Sequence, residues 1–140
     1  MCLAVYLGTE QPVALSPWHH GASLGTRSLA EAERAVCRHM GRPEVQSIVA
    51  WEGCACGFKH GTWPVTDDED RENERRAIAS MEELAAVLRP IVEREGRLQL
   101  YACWMGDEAL EVQSRRSVTL QHFESDAFEF KQRELLDVTA

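Results

Sequence analysis

The 140-residue sequence lacks the segments that direct a chain into or across a membrane. No apolar run approaches about 18 residues, the shortest stretch that spans a bilayer as a helix. The first residues also lack the basic cluster that begins a secretory signal peptide. We therefore expect a cytoplasmic protein that makes no contact with a membrane.

Positive charge is also scarce, since 15 Lys and Arg residues stand against 23 Asp and Glu residues, for a net charge of −8. The phosphates of nucleic acids would repel such a chain, so we expect no nucleic-acid partner. The sequence contains no phosphate-cradling glycine motif, nucleophile elbow or His-Glu-x-x-His helix. Nucleotide-binding and serine-hydrolase functions therefore lack support, whereas a basic protein partner stays open.

The first half of the chain is predicted to fold as two strands, a helix and a strand. Alternating apolar residues at 3–7 predict the first strand and residues 13–17 the second, paired as an N-terminal hairpin. Residues 18–27 are expected to form a loop. A capping box that begins at Ser28 opens the first main helix, and residues 45–51 form a strand buried on both faces.

The second half begins with a charge run at 66–79 that lacks apolar periodicity and is predicted to be a solvated loop or a fraying helix start. A second capping box at Ser80 opens another main helix, which ends at Gly96. Pro90 is expected to kink or restart that helix. Residues 97–107 form a fourth strand with alternating faces, followed by shorter β elements.

Together these elements predict a single α+β domain over residues 1–140, with an α/β arrangement as the alternative. Its mixed sheet would contain the N-terminal hairpin and be covered by the two main helices. Helical crossovers join the second, third and fourth strands, so we expect these strands to run parallel and to end at one edge of the sheet.

The residues expected at this edge include thiols, imidazoles and indoles. Open α/β sheets bind their ligands at such an edge, so we predict a pocket there. Cys2 would join it from the start of the first strand, which is antiparallel to the second. The other residues of the predicted pocket are Trp18, His19, His20, Gly53, Gly57, Trp104 and Asp107.

Cys54 and Cys56, which lie one residue apart between two glycines, form the centre of the predicted site. Clustered thiols in a cytosolic protein more often indicate metal or redox chemistry than disulfides. Thiolates are soft ligands that suit zinc or copper(I), and the glycines free the backbone so that both sulfurs can face one ion. Further ligands would come from Cys2, Cys103, His60, His19 and His20.

Other interpretations of the thiol pair stay open. The pair could form the site of a thiol-redox enzyme, although the usual redox spacing is longer and lies at a helix start. The two cysteines could instead fill a tight turn as small hydrophobic residues. The chain would then be an acidic protein-binding domain, such as an immunity or adaptor protein, with no site chemistry. In that case the histidines near the pair would be solvated, and Asp107 would form a turn.

Three stretches also carry a resemblance: the N-terminal MCLAVYLGT, the loop GCACGF and the strand end LYACWMGDE. With these stretches the chain resembles a group of small, uncharacterised bacterial proteins, and the likeness continues to the tail FEFKQRELLDV. The resemblance implies a bacterial, soluble, single-domain protein. It implies no activity, cofactor or catalytic residue.

Overall fold

The computed structural model describes residues 2–58 and 64–140, which form an α+β fold around one mixed six-stranded sheet. The only α-helix of these ranges is α1 (Asp68–Glu95), and short 3-10 helices lie at Glu31–Arg38, Ala55–Gly57 and Leu120–Glu124. None of the helices in the described ranges is long and apolar enough to cross a membrane. The strands are β1 (Leu3–Thr9), β2 (Leu24–Arg27), β3 (Glu44–Ala50), β4 (Leu98–Trp104), β5 (Ser114–Thr119) and β6 (Glu134–Thr139).

The strand order is β2-β3-β1-β4-β6-β5, and within the described ranges only the β5–β6 pair is parallel. The predicted N-terminal hairpin is therefore wrong, because β1 pairs with β3 and β4. Residues 13–17 contribute only an isolated bridge from Pro17 to Thr26. Pro17 has no N–H to donate to a ladder, whereas the predicted loop at 18–27 contains the buried residues of β2.

The expectation of three parallel strands is met only for the third and fourth. β3 and β4 are both antiparallel to β1, so they run in the same direction with β1 between them. β2 is antiparallel to β3, and the chain between them contains a short 3-10 helix instead of an α-helix. The C-terminal ends of β3 and β4 and the start of β1 consequently meet at one edge.

Each face of the sheet buries its own apolar cluster. Alternation along β4 places Leu98, Leu100 and Ala102 against α1, on the first face of the sheet. It places Tyr101 and Cys103 on the opposite, second face, as predicted. α1 contributes apolar residues at helical spacing to the first cluster. They are Met81, Leu84, Ala85, Leu88, Ile91 and Val92.

The first predicted helix is the 3-10 helix Glu31–Arg38, which covers the second face through Val36. It begins three residues after Ser28, so the capping box predicted there is wrong. The carboxylate of Glu33 accepts a hydrogen bond from the backbone N–H of Ala30 at 2.9 Å. The capping contact at the start of the helix is therefore made at Ala30 and not at Ser28.

The charge run at 66–79 belongs mostly to α1, so the loop prediction is wrong and its alternative, a helix start, is right. The Asp67 carboxylate accepts a hydrogen bond from the Asp70 N–H at 2.8 Å and caps the helix. Ion pairs one turn apart, such as Arg76 with Glu72, support this exposed part. Ser80 is therefore not a cap: it lies within the helix, and its hydroxyl donates to the carbonyl of Ser23 at 2.7 Å.

The C-terminal part of α1 contains Pro90 and ends next to Gly96, the two residues predicted to interrupt or end the helix. Pro90 lies inside the helix and does not restart it, while the kink expected there stays a prediction. Gly96 ends α1 as predicted, with a φ of 83° that a residue with a side chain rarely adopts.

Replacing Asp67 by alanine should lower the free energy of unfolding by about 1 kcal/mol, because the Asp70 N–H loses its capping acceptor. Urea denaturation measures this change, and circular dichroism should show a loss of helix. Glu74→Ala, an exposed change in the same helix, is the control and should alter stability by less than about 0.5 kcal/mol. Equal effects of the two changes would contradict a helix start at Asp68.

Candidate metal centre

Three cysteines from two distant parts of the chain meet at one edge of the sheet. The Sγ atoms of Cys2, Cys54 and Cys56 all lie within 4.8 Å of one another. Cys2 is exposed, and the other two side chains are half-buried. A set of thiols this close can hold one soft cation.

The sheet brings Cys2 to the other two thiols. Cys2 directly precedes β1, and its carbonyl accepts a hydrogen bond from the Met105 N–H at 2.8 Å just after β4. The N–H of Leu3 donates to the Sγ atom of Cys56 at 3.1 Å. Backbone donors to sulfur are typical of thiolate ligands, because they stabilise the negative charge on the sulfur.

Glycines shape the loop that carries Cys54 and Cys56. Gly53 has a φ of +81°, and its N–H donates to the carbonyl of Ala50 at 2.9 Å in a tight turn. A Cβ atom at Gly53 would lie 2.9 Å from the Trp18 ring, and one at Gly57 would lie 2.8 Å from the Cβ atom of Ala50. The loop therefore requires both glycines to keep the thiols in place.

Burial raises the pKa of the Cys54 thiol from 9.0 to about 11. Cys56 contributes in both directions, since its backbone N–H lowers this pKa while its side chain raises it, and Cys2 raises it further. With its pKa raised chiefly by burial, Cys54 stays protonated at neutral pH. A bound cation would reverse this preference by stabilising the thiolates.

Alkylation of Cys54 by iodoacetamide at pH 8 should be about a hundredfold slower in the folded, metal-free chain than in the urea-unfolded chain. The reason is the smaller thiolate fraction that follows from a pKa of about 11 instead of 9.0. The folded-state rate should rise as the pH approaches 11. Peptide mass spectrometry measures each cysteine separately, with exposed Cys37 as the internal control. A folded-state rate equal to the unfolded one would contradict this electrostatic account.

Cys103 does not join the three thiols, contrary to the sequence-based expectation. It is fully buried with Tyr101 on the opposite face of the sheet, because alternate residues of a strand point to opposite faces. Burial raises the pKa of Cys103 to about 12, and the carboxylates of Glu108, Asp107 and Glu33 raise it further.

The predicted histidine ligands are not brought to the cluster within the described ranges. His19 and His20 are exposed in the chain before β2, and neither belongs to the group of possible metal ligands. His60 lies outside the described residues, so its role as a ligand stays a prediction.

Three of the predicted pocket residues, Trp18, Trp104 and Asp107, make local contacts or lie at the end of a strand. The Trp18 ring covers Gly53, and its Nε1–H donates to the carbonyl of Ala22 at 3.1 Å. Trp104 is half-buried at the end of β4. The Asp107 N–H donates to the Trp104 carbonyl at 3.0 Å, which is a turn contact.

The sequence reasoning missed a buried polar cluster on the second face. The hydroxyl of Tyr6 lies 2.7 Å from a carboxylate oxygen of Glu33 and 3.0 Å from one of Glu108. Glu108 also accepts a hydrogen bond from the Gly106 N–H at 2.9 Å. No local pattern indicates that Glu108 is buried, because its contact with Tyr6 joins residues that lie far apart in the sequence.

Comparisons with known proteins do not extend this description: no family model, curated protein or solved structure matches the chain. The geometry of the thiols is therefore the basis for assigning a function.

Proposed function

We propose that this protein binds one soft metal ion, zinc or copper(I), through Cys2, Cys54 and Cys56. The observation that carries the proposal is the approach of three Sγ atoms to within 4.8 Å of one another. Zinc–sulfur bonds of about 2.3 Å bring the sulfurs of a tetrahedral site to about 3.8 Å from one another. Small side-chain rotations therefore suffice to close the site around an ion.

The position of the thiols supports reversible binding. Cys2 is exposed and the other two thiols are half-buried, so an ion can enter and leave without unfolding the sheet. Thiols this close form disulfides in an oxidising compartment, so the proposal includes a reducing cytoplasm, in keeping with the bacterial resemblance. Because the ion can enter and leave, the site suits a protein that carries or buffers the ion better than one in which the ion is purely structural.

The two alternatives have less support. A thiol-redox enzyme needs an accessible sulfur of low pKa, whereas burial raises the pKa of Cys54 to about 11. A protein-binding function would rest on the net charge of −8, which favours a basic protein over a nucleic acid as partner. Neither alternative requires Cys2 to lie beside Cys54 and Cys56.

Titration of the reduced, metal-free chain under anaerobic conditions tests the proposal. Zinc and copper(I) are each added against a competing chelator, and we expect saturation at one ion per chain. A sample whose thiols have been blocked with N-ethylmaleimide is the control and should bind neither ion at this site. Absence of binding by the unblocked chain, with all of its thiols reduced, would contradict the proposal.

A further inference from the structure

A fourth sulfur lies at the same edge of the sheet as the three thiols. Met105 follows β4 directly, and its N–H donates to the Cys2 carbonyl at 2.8 Å. Met105 is 45% exposed, so its side chain is accessible from solvent. Met105 and Cys54 line one small cavity, whose apolar wall is formed by Leu3, Ala4, Ile48, Val49 and Ala55.

The charged groups that line this cavity already have protein partners. Among the described residues that line this cavity, Glu33 is the only one with a carboxylate. One of its oxygens accepts from the Ala30 N–H at 2.9 Å, and the other contacts the Tyr6 hydroxyl at 2.7 Å. The guanidinium of Arg27 donates to the carbonyl of Gly53. The cavity wall also contains two sulfurs, the thiol of Cys54 and the thioether of Met105.

We propose that the Met105 thioether is a further ligand of the metal site and makes the site selective for copper(I) over zinc. This inference rests on the proposed function, because it needs an ion at the three cysteines. Thioethers are soft, uncharged ligands that bind copper(I) and are not among the usual ligands of zinc. A divalent ion would favour a carboxylate or a further thiolate as its fourth ligand.

The charge of the cluster supports an uncharged fourth ligand. Three thiolates around a monovalent ion already carry an excess of negative charge. The Sγ atoms of Cys2, Cys54 and Cys56 lie within 4.8 Å of one another, so their charges repel one another when all three are ionised. A thioether completes the coordination without adding to this repulsion, whereas a further anion would increase it.

The conservative substitution Met105→Leu tests the inference, because it removes the sulfur while nearly preserving the volume of the side chain. The copper(I) affinity of each chain is measured by anaerobic competition with bicinchoninate, and the zinc affinity by competition with a zinc-sensitive dye. Met40→Leu, a buried change on the second face, is the matched control. We expect Met105→Leu to weaken copper(I) binding by about tenfold or more, with zinc affinity changed by less than about twofold.

The outcomes separate this inference from the proposed function. Equal copper(I) affinity of wild type, Met105→Leu and Met40→Leu would overturn the role of Met105. If Cys54→Ser nevertheless lost copper(I) binding in the same experiment, the proposed three-thiol site would stand. A parallel loss of zinc and copper(I) affinity in Met105→Leu would overturn the claim of selectivity. Failure of the wild-type chain to bind either ion would overturn both proposals.

Discussion

Replacing Cys54 by serine is expected to weaken the binding of zinc and copper(I) by more than about a hundredfold. Cys54 lies in the middle of the loop, and its Sγ atom is within 4.8 Å of those of Cys2 and Cys56. A serine hydroxyl is a hard donor that stays protonated at neutral pH, so it cannot replace a thiolate. Two thiols then remain, so the three-sulfur site is incomplete.

Cys37→Ser is the matched control for this change. Cys37 is an exposed cysteine outside the thiol cluster, so the substitution removes a thiol and leaves the site complete. Anaerobic competition titrations compare the three chains, and circular dichroism checks that each is folded. A folded Cys54→Ser chain that retains wild-type affinity would show that the ion binds elsewhere.

The second large effect concerns the ionisation of the two tyrosines. At a pH of about 10.5 the folded chain should show almost no tyrosinate absorbance near 295 nm, whereas the urea-unfolded chain should show most of the full signal. Burial raises the pKa of Tyr6 far above its usual value, and the carboxylates of Glu33 and Glu108 add to this effect. Burial also raises the pKa of Tyr101 to about 12, with a further contribution from Cys103.

These tyrosine pKa values make stability depend on pH. A tyrosine in the unfolded chain loses its proton near pH 10, while the folded chain keeps both protons at that pH. The unfolded state therefore binds fewer protons, so the free energy of unfolding must fall as the pH rises from about 10 to about 12. Urea denaturation at pH 8, 9.5 and 10.5 measures this decline.

Tyr101→Phe provides the control for the tyrosine titration. It removes the group whose pKa is about 12 and leaves Tyr6, so the folded variant should show no tyrosinate signal even at a pH of about 11. The Tyr101 hydroxyl is buried and has no hydrogen-bond partner among the described residues, so the variant should fold normally. Half-ionisation of the native chain near pH 10 would show that the buried polar cluster is not formed.

The meeting of Cys2 with Cys54 and Cys56 was predictable because it depends on strand direction. A long crossover through α1 makes β3 and β4 run the same way, as the sequence analysis expected. The start of an antiparallel strand then lies at their common end, whichever neighbour that strand has. The prediction that these thiols meet therefore survived the wrong choice of partner for β1.

The choice of strand partners could not be predicted from local patterns. β1 pairs with β3 and β4 because its side chains are buried on both faces, which requires a central position in the sheet. A hairpin with residues 13–17 would leave β1 near an edge. Burial on both faces depends on contacts with distant elements, and alternation of apolar residues along one strand does not reveal them.

Two further errors have specific physical causes. The charge run at 66–79 was predicted to be a loop because it lacks apolar periodicity, but a cap at Asp67 and ion pairs along one exposed face also support a helix. Cys103 was placed with the thiols because it lies at the end of β4. Its position in the alternation directs its side chain to the opposite face.

X-ray absorption spectroscopy of the metal-loaded chain counts the sulfur atoms around the ion and so examines the three-cysteine site itself. We expect a first shell that contains at least three sulfurs at about 2.3 Å. Cys2→Ser should lose one sulfur from this shell, since Cys2 is the thiol that comes from a separate part of the chain. A wild-type shell made only of nitrogen and oxygen, or one with no more than two sulfurs, would contradict metal binding by the three cysteines.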